Sequence, residues 1–126
     1  MIVKKFDLTD RPGSEGSLAW GEGGLEYEAF IQSIRKSLHI KAEEDEIYKV
    51  SMTWSLKSKG REHRFLKLDL DNAAKPILDA IFNSGTGGKR DSTNRDGRVV
   101  ELRLKKIPSH KEYLWIAIQT LSRKGN

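Results

Sequence analysis

From Tyr48 to Lys57 the chain alternates. Tyr48, Val50, Met52, Trp54 and Leu56 are apolar, and Lys49, Ser51, Thr53, Ser55 and Lys57 between them are polar or charged. A period of two puts the first set on one side of an extended chain, so this segment reads as a strand buried on one face. On either side of it the period becomes helical. Between Leu25 and Ile40 the apolar residues Tyr27, Phe30, Ile31, Ile34 and Leu38 recur three or four apart, while Glu28, Gln32, Arg35 and Lys36 fall elsewhere on the wheel, as in an amphipathic helix. In LDLDNAAKPILDAIFN the stripe Ala74, Ile77, Leu78, Ile81 and Phe82 predicts a second helix. Pro76 belongs in its first turn, where a missing N–H costs nothing, and either Asp71 or Asn72 is placed to cap it.

Two more segments alternate near the C-terminus: Val100, Leu102 and Leu104, then Leu114, Ile116 and Ile118. The short PSHKE connection between them predicts an antiparallel hairpin. A further short strand is expected over residues 1–10 from Ile2, Phe6 and Leu8, ahead of the turn-rich RPGSEGSLAWGEGG. The order is therefore β-α-β-α-β-β. With no internal repeat, the expectation is a single small α/β (α+β) domain over 1–126, a mixed four-stranded sheet with two helices packed on it.

Lys57, Lys59, Arg61, Arg64 and Lys67 surround Gly60 in an exposed basic turn, and SGTGGKRDSTNRDGR at 84–98 is a Gly-rich loop of a length associated with function. Across the 126 residues, 23 Lys and Arg against 18 Asp and Glu leave a net charge of +5, which favours an anionic partner. The absence of Cys removes disulfides and thiolate metal sites, so any metal must take oxygen or imidazole ligands. His39, His63 and His110 are scattered without a partner at ligand spacing. No run approaches the length of a membrane span and MIVKKFDLTD lacks a signal-peptide core, so a cytoplasmic protein without a membrane partner is expected.

Four ionisable residues gather where the second helix begins. Asp71, Lys75 and Asp79 lie four apart and share a helix face, and Asp69 precedes them. If the approach to the helix is extended, Asp69 and Asp71 point to the same side and their carboxylates converge. Such convergence is costly unless a cation sits between them, and carboxylate oxygens suit Mg²⁺ or Mn²⁺. The plainer alternative is that these acids are cap and turn residues, with Asp71 and Lys75 an ordinary surface ion pair.

The run D-L-D-N-A-A-K-P-I-L-D-A at 69–80, followed by R-D-G-R-V-V-E-L at 95–102, resembles the RusA family of Holliday-junction resolvases. The family pattern is D-x-D-N-x-x-K-x-x-x-D-A, then a loop, then D-D-x-x-V-V. The resemblance implies catalytic, metal-binding carboxylates at Asp69, Asp71 and Asp96, a functional lysine at Lys75, supporting roles for Asn72 and Asp79, and Mg²⁺, with Mn²⁺ a substitute. It further implies a homodimer that resolves four-way junctions by paired phosphodiester hydrolysis. The charge of the turn from Lys57 to Lys67 separately leads us to expect that it tracks phosphates on the junction arms, the plainer alternative being a solvated turn. The chain departs from the pattern in three ways. Arg95 stands where the first of two adjacent acids is usual, the preceding loop is longer and contains Asp91 as a possible substitute ligand, and the family's Pro- and Asn-containing loop is not recognisable in Arg11–Gly24. Alternatives within reach of the same residues are a catalytically silent branched-DNA binder and a related nuclease acting on forks or flaps. Tyr113, Trp115 and Ala117, out of phase with the core residues of the last strand, are candidate apolar material for a dimer contact.

Overall fold

The computed structural model describes residues 1–8, 25–40, 46–58, 64–82 and 96–122, of which 25–27, 64, 67, 96 and 122 are described in backbone only. Strand β1 spans Ile2–Asp7, helix α1 Leu25–Leu38, strand β2 Glu46–Lys57, a one-turn helix α2 Arg64–Lys67, helix α3 Leu70–Phe82, strand β3 Val99–Ser109 and strand β4 Tyr113–Ser122, with a 3₁₀ turn at Asp96–Arg98. The α+β order agrees with the pattern in the sequence. The addition is α2, a single turn folded from part of the basic segment.

The four strands form one mixed sheet in the order β1-β4-β2-β3. β2 lies inside it, parallel to β3 and antiparallel to β4. Its helix-facing side chains Tyr48, Val50, Met52, Trp54 and Leu56 are all at most 1% exposed, so the row read from the alternation is the centre of the core. From β4 it is joined by Leu114, Ile116 and Ile118, from α1 by Phe30, Ile34 and Leu38, and from α3 by Ala74, Ile77, Ile81 and Phe82. Ring contacts tie the layers, Phe6 edge-on to Phe30 at 6.3 Å and Tyr48 against Phe82 at 5.1 Å. No described helix is long and apolar enough to cross a membrane.

The expected β3–β4 hairpin does not form. The two strands run in opposite directions, but β2 sits between them, and residues 110–112 step across its C-terminal end. Two strand spacings are roughly 10 Å, which three extended residues can cover. The step is fastened to β2: Ser55 Oγ donates to the Lys111 carbonyl at 2.9 Å, and the Glu112 carboxylate accepts from the Lys57 amide at 3.3 Å. The Glu112 carbonyl also accepts from Leu8 N at 2.9 Å. Glu112 is only 1% exposed, so a residue that reads as loop is a buried anchor.

The alternation expected for β3 is interrupted as well. Tyr48 pairs with Val99 but Lys49 with Glu101, so Val100 is an extra residue bulged out of the ladder. Val99 thus packs on the core while Val100 is 54% exposed. Beyond the bulge Leu102 and Leu104 pair with Val50 and Met52 on the helix side. Both edge strands carry charge, Lys4, Lys5 and Asp7 on β1 and Arg103, Lys105 and Lys106 on β3, with Pro108 also on that edge, features that discourage edge-to-edge pairing.

Replacing Trp54 by Ala is expected to lower the unfolding free energy by about 3–5 kcal/mol in denaturant titration. Glu112→Ala, which leaves the part-buried Lys57 amide without its carboxylate, should cost about 1–3 kcal/mol. Wild-type stability in the second variant would mean that the crossing is not anchored there.

Candidate functional site

Helix α3 starts at Leu70 because Asp69 caps it. Asp69 Oδ1 accepts from the Asp71 amide at 3.2 Å, its Oδ2 accepts from Asn72 Nδ2 at 3.1 Å, and its carbonyl accepts from Ala73 N at 3.0 Å. The cap expected at Asp71 or Asn72 thus lies earlier, and the approach is not an extended pair of acids: Asp71 is already in the first turn. Pro76 consequently falls in the second turn rather than the first. It leaves the Asn72 carbonyl without its intrahelical donor, in a position that ordinarily costs on the order of 3 kcal/mol. The cap and the buried stripe offset that loss, with Ala73, Ala74, Ile77, Leu78, Ala80, Ile81 and Phe82 all buried.

The solvent side of the same helix carries the candidate chemistry. Asp69, Asp71, Asn72 and Lys75 are exposed, and Asp79 is half-buried one turn further on. The surface ion pair considered between Asp71 and Lys75 is not formed among the described residues. Both acids sit at the positive end of the helix, which stabilises each by about 0.3–1 kcal/mol without any metal.

Lys106 holds this helix start against the sheet. It occupies a helix-side position of β3 opposite Trp54, donates from Nζ to the Leu68 carbonyl at 3.0 Å, and lies 5.3 Å from the centre of the Phe65 ring. Sequence reading passed it over, although a lysine two residues after Leu104 breaks the inward row and was the available signal. Its contact places the acids near the C-terminal ends of the parallel pair β2 and β3, where open α/β sheets commonly bind ligands.

Asp96 is at the opposite end of β3. It opens the 3₁₀ turn that precedes Val99 and packs against α3 and the start of β2. Arg98 in that turn donates to the Glu46 carbonyl at 3.0 Å. Val99 and Lys106 are seven residues apart on β3, on the order of 23 Å of extended chain. The Asp96 side chain, and Asp91 and Arg95 altogether, lie outside the described residues. Among the described residues, no three His, Asp or Glu side chains are arranged to hold a metal ion.

Of the basic segment, Lys57 is exposed at the end of β2. Beside it Ser58, Pro108, Ser109 and His110 line an open cavity of about 490 Å³. Lys59 and Arg61 lie outside the described residues, and Arg64 and Lys67 are described in backbone only, within α2. The scan of protein-family models found no match to this chain, and neither did the search of curated proteins.

Two substitutions separate the structural duty of Asp69 from any ligand duty. Asn caps as well as Asp, so Asp69→Asn should unfold within about 0.5 kcal/mol of the wild type, whereas Asp69→Ala should lose about 1 kcal/mol. A metal ligand would respond to both, so titration of Mn²⁺ into the two folded variants reads the second role independently of the first.

Proposed function

We propose that the chain is a Mg²⁺-dependent, structure-selective endodeoxyribonuclease of the RusA type that resolves four-way DNA junctions. The observation that carries this reading is the display of Asp69, Asp71, Asn72 and Lys75 together on the exposed first turns of α3, the residues that match D-x-D-N-x-x-K. Their position by the C-terminal ends of parallel strands and the overall positive charge of the chain fit an anionic ligand.

The donor set suits the ion. Each Asp69 oxygen accepts one hydrogen bond in the cap and keeps a further lone pair, and Asp71 is exposed. In this reading Asp69 and Asp71 hold Mg²⁺, Asn72 keeps the Asp69 carboxylate oriented through its Nδ2 bond, and Asp79 supports the same face; Asp96, the third ligand that the resemblance implies, lies at the opposite end of β3 and reaches the ion only if the turn at 96–98 folds back along α3. A bound Mg²⁺ supplies Lewis-acid polarisation of the phosphate and a more acidic water. Lys75 sets a positive charge beside the scissile phosphate, where negative charge builds up. Lys57, Lys59, Arg61, Arg64 and Lys67 bind phosphates along the junction arms. A homodimer follows from the symmetry of the substrate, since two matched nicks need two copies of a site that each chain carries once.

A synthetic four-way junction, a fork, a flap and a duplex, each with Mg²⁺ or EDTA, test this directly. Paired cuts in the junction alone, dependent on Mg²⁺, are expected; preferential fork or flap cutting reassigns the substrate, and EDTA-insensitive binding without cutting identifies a silent binder. Asp71→Asn and Asp96→Asn should each abolish cutting while keeping junction affinity, because each removes a ligand and a charge that repels phosphate. Persistent Mg²⁺-dependent cutting by either variant removes that residue from the site. Light scattering on junction DNA should find two chains per junction.

The basic segment is tested by salt. Lys57→Gln should weaken binding to all DNA sequences alike and flatten the log-log salt dependence by about 0.9. An unchanged slope would make Lys57 a solvated surface residue.

A further inference from the structure

The sheet has a second face, on which no described element packs. Its side chains line up in rungs because neighbouring strands are in register. One rung crosses all four strands as Lys5, Trp115, Thr53 and Lys105, and the next as Val3, Ala117, Ser51 and Arg103. At about 4.8 Å between strands each rung is roughly 14 Å wide. Trp115 is 43% exposed at the middle of this face. Lys5 Nζ stands 3.9 Å from the centre of the neighbouring Tyr113 ring and 5.5 Å from that of Trp115. Beside Ala117, the residues Lys49, Ser51, Glu101, Arg103 and Gln119 line a shallow depression of about 280 Å³.

We propose that this face binds single-stranded DNA, with Trp115 stacking on a base and Lys49 and Arg103 taking phosphates at the depression. Charge complementarity selects the occupant. Lys5, Lys49, Lys57, Arg103 and Lys105 outnumber Asp7 and Glu101 on this face; Glu101 and Arg103 pair with each other at 3.1 Å, which leaves the excess of positive charge unchanged. A second copy related by a two-fold axis would meet the same excess of positive charge, which disfavours self-association here, whereas a phosphate chain neutralises it. The exposed indole selects single strands over duplex, because duplex bases are stacked on each other and offer no free face, while unpaired bases stack readily on aromatic side chains. The choice of DNA over RNA rests on the proposed function; the stacking and charge arguments do not. On the opposite side of the sheet from α3, this surface is separate from the acids of that helix.

The test uses the full chain in EDTA and fluorescence anisotropy with labelled oligothymidylate of about a dozen residues, a length within the span of known single-strand binding surfaces. Trp115→Ala should weaken binding about tenfold and Trp115→Phe only slightly, since both aromatics stack. The Lys49→Gln, Arg103→Gln double variant should lower the salt slope by about 1.4, two charges at about 0.7 each on a single strand. Melting temperatures close to the wild type confirm that these surface variants are folded. Affinity unchanged in Trp115→Ala and in the double variant overturns the proposal, and tighter binding of oligouridylate overturns the choice of DNA. Loss of a dimer in Trp115→Ala with oligothymidylate affinity intact makes the face a self-association surface instead. Junction cleavage is read separately: cleavage without oligothymidylate binding removes only this proposal, and binding without cleavage removes only the nuclease reading.

Discussion

Everything in this fold hangs on β2 being bonded along both edges while its whole helix-facing row is dry. Burying Tyr48, Val50, Met52, Trp54 and Leu56 contributes on the order of 10 kcal/mol, at about 2 kcal/mol for each large apolar side chain. That is comparable to the entire net stability of an ordinary domain. A strand so enclosed leaves no room for unpaired backbone groups, since each would lose water without gaining a partner. Its two ladders satisfy them, parallel to β3 and antiparallel to β4. The other described elements are arranged around those two pairings.

A parallel partner requires a crossover, and α3 supplies it. The helix must begin near the C-terminal end of β2 and return toward the start of β3, with the Ile40 amide donating to the Ile81 carbonyl at 2.8 Å near its finish. Lys106 and the Asp69 cap settle where it begins. The exposed acids are therefore consequences of the same packing that centres β2: a helix buried on the side of Ile77 and Ile81 must turn Asp71 and Lys75 to solvent.

Features set by local period were legible in the sequence, whereas those set by long-range geometry were not. The β2 row, the α3 stripe and the element order needed only alternation and three-to-four spacing. The interposition of β2 between β3 and β4 could not be read, because three residues can either turn a hairpin or step over one strand. What decides between them is Glu112, whose burial depends on residues 55 positions away. The Val100 bulge was hidden for a similar reason, as Val99 and Val100 are equally apolar and only pairing with Tyr48 and Lys49 distinguishes them. At the site, helical spacing correctly put Asp71 and Lys75 on a common exposed side, but the cap was expected at Asp71 or Asn72, and Asp69 held that role only in the plainer alternative. Asp69, Asp71 and Asn72 can all cap, and the choice belongs to the helix start enforced by Leu68 and Lys106.

The same geometry shapes what an ion could share. Mg²⁺ ligands lie at about 2.1 Å, so two carboxylate oxygens on one ion are within roughly 4.2 Å of each other. Asp69 and Asp71 share one helix end, where the Asp69 carboxylate already accepts from the Asp71 amide and from Asn72 Nδ2. Asp96 approaches from the start of β3, while α3, about 20 Å long at 1.5 Å per residue, meets the far end of that strand through Lys106. A shared ion therefore requires the turn at 96–98 to fold back along α3. Mg²⁺ does not demand it, since the ion keeps several waters and is often held by one or two carboxylates and the substrate phosphate. In the proposed reading, two carboxylates and the substrate phosphate would therefore suffice to hold the ion at α3. The third acid matters for what happens next, because an added carboxylate close to the ion-bound water would alter its charge and orientation, and with them the attack on phosphorus.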